Sequence, residues 1–198
     1  MRASSNQNSD TPRYRSSFLR TALPEDRDCI DDLLLAVINM KTVQEDFEDA
    51  NNVKEVFEVV KDAVRLTINE SRAGIDLGLT ELGNGNNELL SAYHPVGSNI
   101  IVLNRTPLKR ITQTQPQLMK PYVFVVLLHE YIHSLGYLDE ATVRDLTHKI
   151  TKSVLNGSTA TDMAKDMRKY FPFLLYPGGH LATDGMDVIE LDDIDYIG

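Results

Sequence analysis

Two histidines and a glutamate, His129, Glu130 and His133, are the side chains of this 198-residue sequence best matched by type and spacing to a chemical task. Four positions separate the imidazoles, so on a helix they share one face, about 6 Å apart along the axis. Two ring nitrogens so placed can converge on one zinc ion at roughly 2.0–2.1 Å each. Glu130 follows the first histidine and is poorly placed to join them as a ligand. It can reach a metal-bound water from the side, where a general base belongs. Zinc lowers the pKa of such a water towards about 7, and Glu130 would take its proton as the oxygen attacks a carbonyl. The competing reading is an amphipathic helix with two solvated histidines. The apolar run Tyr122 to Leu128 that precedes them weighs against it, because unpartnered imidazoles and a carboxylate are costly in a buried setting.

The chain continues Ser134-Leu135-Gly136-Tyr137-Leu138-Asp139-Glu140. Over residues 129–139 it resembles the zincin metallopeptidases, and among them the metzincin-like pattern H-E-x-x-H-x-x-G-x-x-(H/D). The resemblance implies an α+β zincin-like fold with a small mixed β-sheet, an active-site helix and additional scaffold helices. It implies Zn2+ as cofactor and a peptide or protein as substrate. It also implies His129, His133 and Asp139 as the metal ligands and Glu130 as the catalytic base. Most such enzymes carry histidine where this chain has Asp139. Aspartate can ligate zinc, but it also suits the N-cap of a following helix. Glu140 is the nearest rival as third ligand. His148, on one helical face with Glu140 and Arg144, is a further one. The other zincin branch takes a glutamate from deeper in the next helix, and none lies between Glu140 and Glu190.

Further parts follow from the same resemblance. Met186, in Thr183-Asp184-Gly185-Met186-Asp187, is similar to the methionine turn beneath a metzincin metal. Asn99–Asn104 takes the place of the strand along which zincin substrates pair, with an ordinary core strand as the alternative. Tyr137, Tyr176 and His180 are oxyanion donors by residue type only. His94, before Pro95, reads as a turn residue. Three functions stay open: a zinc metallopeptidase, a zinc hydrolase of a non-peptide substrate, and a non-catalytic zinc-binding protein. Glu130 argues against the last, since a structural zinc needs no base and usually has four closed protein ligands.

The elements that must position these residues are legible in outline. Pro24 with Glu25 and Asp26 opens a helix whose apolar positions run to about Asn39. A second helix starts near Asn51 or Asn52 and ends before Gly74, with Val53, Val56, Phe57, Val60, Val64 and Ile68 as its stripe. Residues 75–82 alternate as a strand, 83–87 form a turn, and 99–104 form a second strand. Pro116 argues against one continuous helix over 106–118. Pro121 to Leu135, ended by Gly136, is the site helix. Helices follow over 139–155 and 159–170.

Composition narrows the setting. A net charge of −9 and a pI near 5.0 repel phosphate backbones, which argues against nucleic acid as a partner. No apolar segment reaches the roughly 20 residues that span a bilayer, and no apolar region precedes Leu23 as a secretory signal requires. The sole cysteine, Cys29, cannot form an intrachain disulfide and reads as a small packing residue. A cytoplasmic protein with no membrane partner is the expectation, its oligomeric state unspecified. Residues 1–20, with four arginines, read as a disordered tail. Residues 21–183 read as one catalytic domain, and 184–198 as an acidic segment.

Overall fold

The structure is a computed structural model that describes residues 24–82, 89–172 and 174–175. The chain divides into two compact units, Met1–Leu34 and Leu35–Gly198. The described part of the first is the opening of helix α1 (Pro24–Asp49), where Leu33 and Leu34 are exposed. The second unit holds everything that follows.

Six helices are described in all: α1, α2 (Val53–Ile68), α3 (Arg105–Thr114), α4 (Met119–Ser134), α5 (Glu140–Val154) and α6 (Thr159–Lys165). The strands are β1 (Asp76–Thr80), β2 (Leu89–Leu90), β3 (Ala92–Tyr93), β4 (Ile100–Asn104) and β5 (Leu174–Leu175). A three-stranded mixed sheet has the order β1-β4-β3, with β1 parallel and β3 antiparallel to β4. A separate pair, β2 and β5, is parallel. The expected α+β class with a small mixed sheet is therefore present.

Helix α4 is the centre of the packing. Every residue from Pro121 to Ile132 is buried, as the unbroken apolar run predicts. Helix α2 covers one side with Val53, Val56, Phe57, Val60 and Val64, while α5 and α6 add Val143, Ile150, Val154 and Met163. Two edge-to-face ring pairs lock the core: Phe47 on Phe124 and Phe57 on Tyr131, with centroids 5.3 and 5.6 Å apart. Such pairs add about 0.5–1.5 kcal/mol each beyond their buried area.

Local chemistry sets the boundaries. Asn52 accepts from Glu55 N–H and caps α2, and Asn69 ends that helix in the left-handed region. Helix α4 stops where Gly136 takes φ +106°, a conformation that glycine adopts without strain. Pro116 divides α3 from α4, as expected, with a 3-10 turn over Pro116–Leu118. Two expectations are corrected. Helix α1 runs ten residues past Asn39, because Val43 and Phe47 carry its buried face onward. Helix α6 ends at Lys165 instead of near Tyr170. Asp166 leaves helical geometry there, and its side chain accepts from the Arg168 N–H to start a 3-10 turn, Met167–Lys169.

Asn104 is the buried hub between sheet and helices. Its Oδ1 accepts from Thr106 N and Leu82 N at 3.0 and 3.3 Å, and its Nδ2 donates to Leu82 O and Leu90 O at 3.2 and 2.7 Å. No described helix is long and apolar enough to cross a membrane. The tail 1–20, Cys29's side chain, the turn at 83–87 and the acidic segment 184–198 lie outside the described residues or side chains.

Candidate metal centre

Helix α4 delivers His129, Glu130 and His133 together near its C-terminal end, and the turn through Gly136 brings the start of α5 back against them. The Nε2 atoms of His129 and His133 lie 3.2 Å apart. Glu140, the first residue of α5, places Oε1 3.1 Å from His133 Nε2 and Oε2 3.5 Å from His129 Nε2. Among the described residues, these three are the group whose ligand atoms could hold a metal ion.

The distances test that possibility directly. Two ligands at 2.0–2.1 Å from a tetrahedral ion stand about 3.3–3.4 Å from each other. The two imidazole nitrogens at 3.2 Å and the His133–Glu140 Oε1 pair at 3.1 Å lie close to that value, while the 3.5 Å approach to His129 is made by the other carboxylate oxygen. The protonation states agree. His133 Nδ1 lies 2.8 Å from the carbonyl oxygen of Tyr137, which can only accept, so Nδ1 carries the proton. Nε2 is thereby turned towards His129 and Glu140, the arrangement a metal-binding histidine requires. Burial, acting against the upward pull of the contact with Glu140, holds His129 below the ordinary histidine pKa and favours the neutral form that binds metal. For Glu140 burial acts upward, yet its contact with His129 and the charges of His129, His133 and Arg144 outweigh it. The carboxyl is held below its usual range.

Glu140, and not Asp139, completes the group that could hold a metal ion. The Asp139 carboxylate accepts from Thr142 N–H at 2.8 Å and from Thr142 Oγ1 at 2.7 Å, capping α5. The physical reason is the start of the helix. Asp139 has extended φ and ψ and turns its side chain along the new helix, so the next residue faces the triad.

Glu130 is fully buried beside these ligands. Its Oε1 has no hydrogen-bond partner among the described residues, while the carboxyl accepts from the backbone N–H of His94. Burial above all, with the nearby Glu140 charge, pushes its pKa up to about 8. A cation between the imidazoles and Glu140 would offset that second contribution and draw the value down.

The other expected residues are placed as follows. The hydroxyl of Tyr137 donates to Glu70 at 2.7 Å, so it is engaged away from the triad. His148 is half-buried on α5 and stands outside the metal-ligating group. Strand β4, expected as the one along which a substrate pairs, is the central strand, with β1 and β3 bonded on its two sides. Tyr176, His180 and Met186 lie outside the described residues.

Two supporting residues carry no motif. His94 follows β3, and its Nδ1 lies 2.9 Å from the carbonyl of Ile100 while its main chain holds Glu130. Arg72 binds the Ser134 carbonyl at the end of α4, and also Ser98 O and Asn99 Oδ1 at 2.7 and 2.8 Å. Its backbone is gripped in turn by the Tyr131 hydroxyl, which accepts from Arg72 N–H at 2.8 Å and donates to Arg72 O at 3.2 Å. The site helix is thereby tied to the segment that leads into β4.

Comparison with known proteins finds no matching family model, no matching characterised relative and no matching solved structure.

Proposed function

We propose that this chain is a zinc-dependent metallohydrolase of zincin-like fold that cleaves peptide bonds, with His129, His133 and Glu140 holding the metal and Glu130 as general base. The observation that supports it is the convergence of His129, His133 and Glu140 from two helices, with one ligand atom of each within 4.8 Å of the others, beside a fully buried carboxyl. A zinc ion held there would lower the pKa of a bound water towards about 7 and polarise a carbonyl oxygen.

The remaining work falls to the chain's own groups. Glu130 Oε1, buried and without a hydrogen-bond partner among the described residues, takes the proton from the attacking water and passes it to the leaving nitrogen. The His94 N–H holds that carboxyl in place, and burial makes it a stronger base than a solvated glutamate. The Tyr137 carbonyl fixes the ring of His133. Peptide as the substrate rests on the resemblance of residues 129–139 to the zincins, in which Asp139 departs by capping α5. It draws support from β3, an edge strand that ends one residue before His94 and can accept an extended peptide by backbone pairing.

Metal content and turnover test the reading together. Purified protein should carry about one zinc per chain, and the His129→Ala/His133→Ala double variant should carry none. Glu130→Ala should keep its zinc and lose hydrolysis of an unfolded protein substrate by about 100-fold or more. Wild-type protein that takes up no zinc, or a Glu130→Ala variant with unchanged turnover, would remove the proposal.

A further inference from the structure

Helix α2 ends at Asn69, which takes φ +55° and turns the chain away from the helix. The segment that follows is bonded at three places to the end of α4 and the turn beyond it. Glu70 Oε1 accepts from the Tyr137 hydroxyl at 2.7 Å. The Arg72 guanidinium donates to the Ser134 carbonyl, and the Arg72 main-chain N–H and C=O both meet the Tyr131 hydroxyl. Residues 70 and 72 thus hold residues 131, 134 and 137, on both sides of His133. The partners are 59, 62 and 67 positions apart in sequence, so these bonds fix the turn from outside it.

Tyr137 is the member of this set that reaches the metal centre. Its main-chain carbonyl accepts from His133 Nδ1 at 2.8 Å, while its ring packs on the core and its hydroxyl ends on Glu70. The neighbours of Tyr137 restrain it little, since Gly136 has φ +106° and Leu138 is 67% exposed. Glycine leaves the backbone few steric limits there. The Tyr137 side chain is therefore the anchor that fixes where its own carbonyl points. A carbonyl can only accept, so its direction decides which ring nitrogen of His133 carries the proton. Partners that orient a ligating histidine in this way are worth about 10–100-fold in metal affinity. Glu70 stands outside the metal-ligating group, and its path to His133 runs through Tyr137.

Resting on the metallohydrolase reading, we propose that Glu70 is a positioning residue for the metal centre: by holding the Tyr137 hydroxyl it fixes the carbonyl that keeps His133 in its Nδ1–H tautomer, and so raises the affinity of the triad for its ion.

Zinc affinity of the full chain, read by competition with a chromogenic chelator, tests this relay. Glu70→Ala and Tyr137→Phe should each weaken zinc by about 10-fold, the lower end of what a lost supporting partner costs. The Glu70→Ala/Tyr137→Phe double variant should be no weaker than either single one, because both break the same connection. Glu70→Gln keeps an oxygen that accepts from the hydroxyl and should retain wild-type affinity. The second readout needs neither zinc nor turnover. In long-range 1H–15N spectra of chelator-treated protein, neutral His133 should be the Nδ1–H tautomer in wild type and Glu70→Gln, and a mixture in Glu70→Ala and Tyr137→Phe. Glu70→Gln behaving like Glu70→Ala would assign the effect to charge, and additive losses in the double variant would assign it to separate contacts; either overturns the relay. Unchanged affinity and tautomer in Glu70→Ala would do the same. A wild type that takes up no zinc would sink the metal reading, with the tautomer of the metal-free chain still deciding whether Glu70 governs the His133 ring.

Discussion

His133 turns its Nδ1 onto the carbonyl oxygen of Tyr137, 2.8 Å away and four residues further along the chain. This contact closes the turn around Gly136 and aims the opposite nitrogen at His129 and Glu140. The same turn ends on Asp139, whose side chain caps α5, so two adjacent carboxylates have different tasks.

Their variants should therefore separate cleanly. Glu140→Ala should weaken zinc binding by more than the roughly 10–100-fold lost when a mere supporting partner of a ligand is removed. Asp139→Ala should keep zinc affinity and unfold at a lower temperature, because α5 loses its cap. Competition with a chromogenic chelator measures the first effect and circular dichroism melts the second. The reverse order would assign the third ligand to Asp139.

Removing the metal should cost stability. A ligand present at 100 times its Kd stabilises the native state by about 2.7 kcal/mol, and a chain of 150–250 residues shifts by about 2–4 °C per kcal/mol. Chelation should lower the unfolding midpoint by roughly 5–10 °C by this estimate. The His129→Ala/His133→Ala variant should show no such shift. Identical chelator responses in the two proteins would mean the stabilising ion sits elsewhere.

Tyr131→Phe isolates the link between α4 and Arg72. Phenylalanine fills the same space, so the change removes only the hydroxyl that bridges Arg72 N–H and C=O. Stranding those two groups should cost about 1–3 kcal/mol in urea unfolding. A neutral result would show that solvent satisfies them.

Asn104→Ala is expected to be more damaging. Four hydrogen bonds converge on this fully buried amide, including the one that caps α3. Loss of the cap together with buried unpaired backbone groups should cost about 2–4 kcal/mol. Denaturant midpoints no different from wild type would contradict its role as a hub.

The convergence of His129 and His133 was legible because it is local: spacing within one helix fixes which side chains share a face. Choosing between Asp139 and Glu140 was beyond that logic. The two differ by one residue, and the outcome turns on where α5 begins, which depends on Asp139 adopting extended geometry with its carboxylate on Thr142. Strand β4 was found, but its position in the sheet was not. Its partners are distant in sequence, and β3 is only two residues long. His94 passed as a turn residue because its contact with Glu130 is made by the main chain, which has no signature of residue type. Arg72 escaped notice for a related reason, since its carbonyl partners leave no mark in the pattern.

The complete enclosure of α4 from Pro121 to Ile132 shapes how tolerance to substitution is distributed. In a saturation library scored by cellular abundance, that whole segment should be depleted alike, with its histidine and glutamate hidden among aliphatic neighbours. Glu140 is 29% exposed and should behave differently. Its substitution would reach abundance only through the metal it would hold, whereas in α4 packing and chemistry fail together, so the gap between abundance and activity scores should be widest at this position of α5.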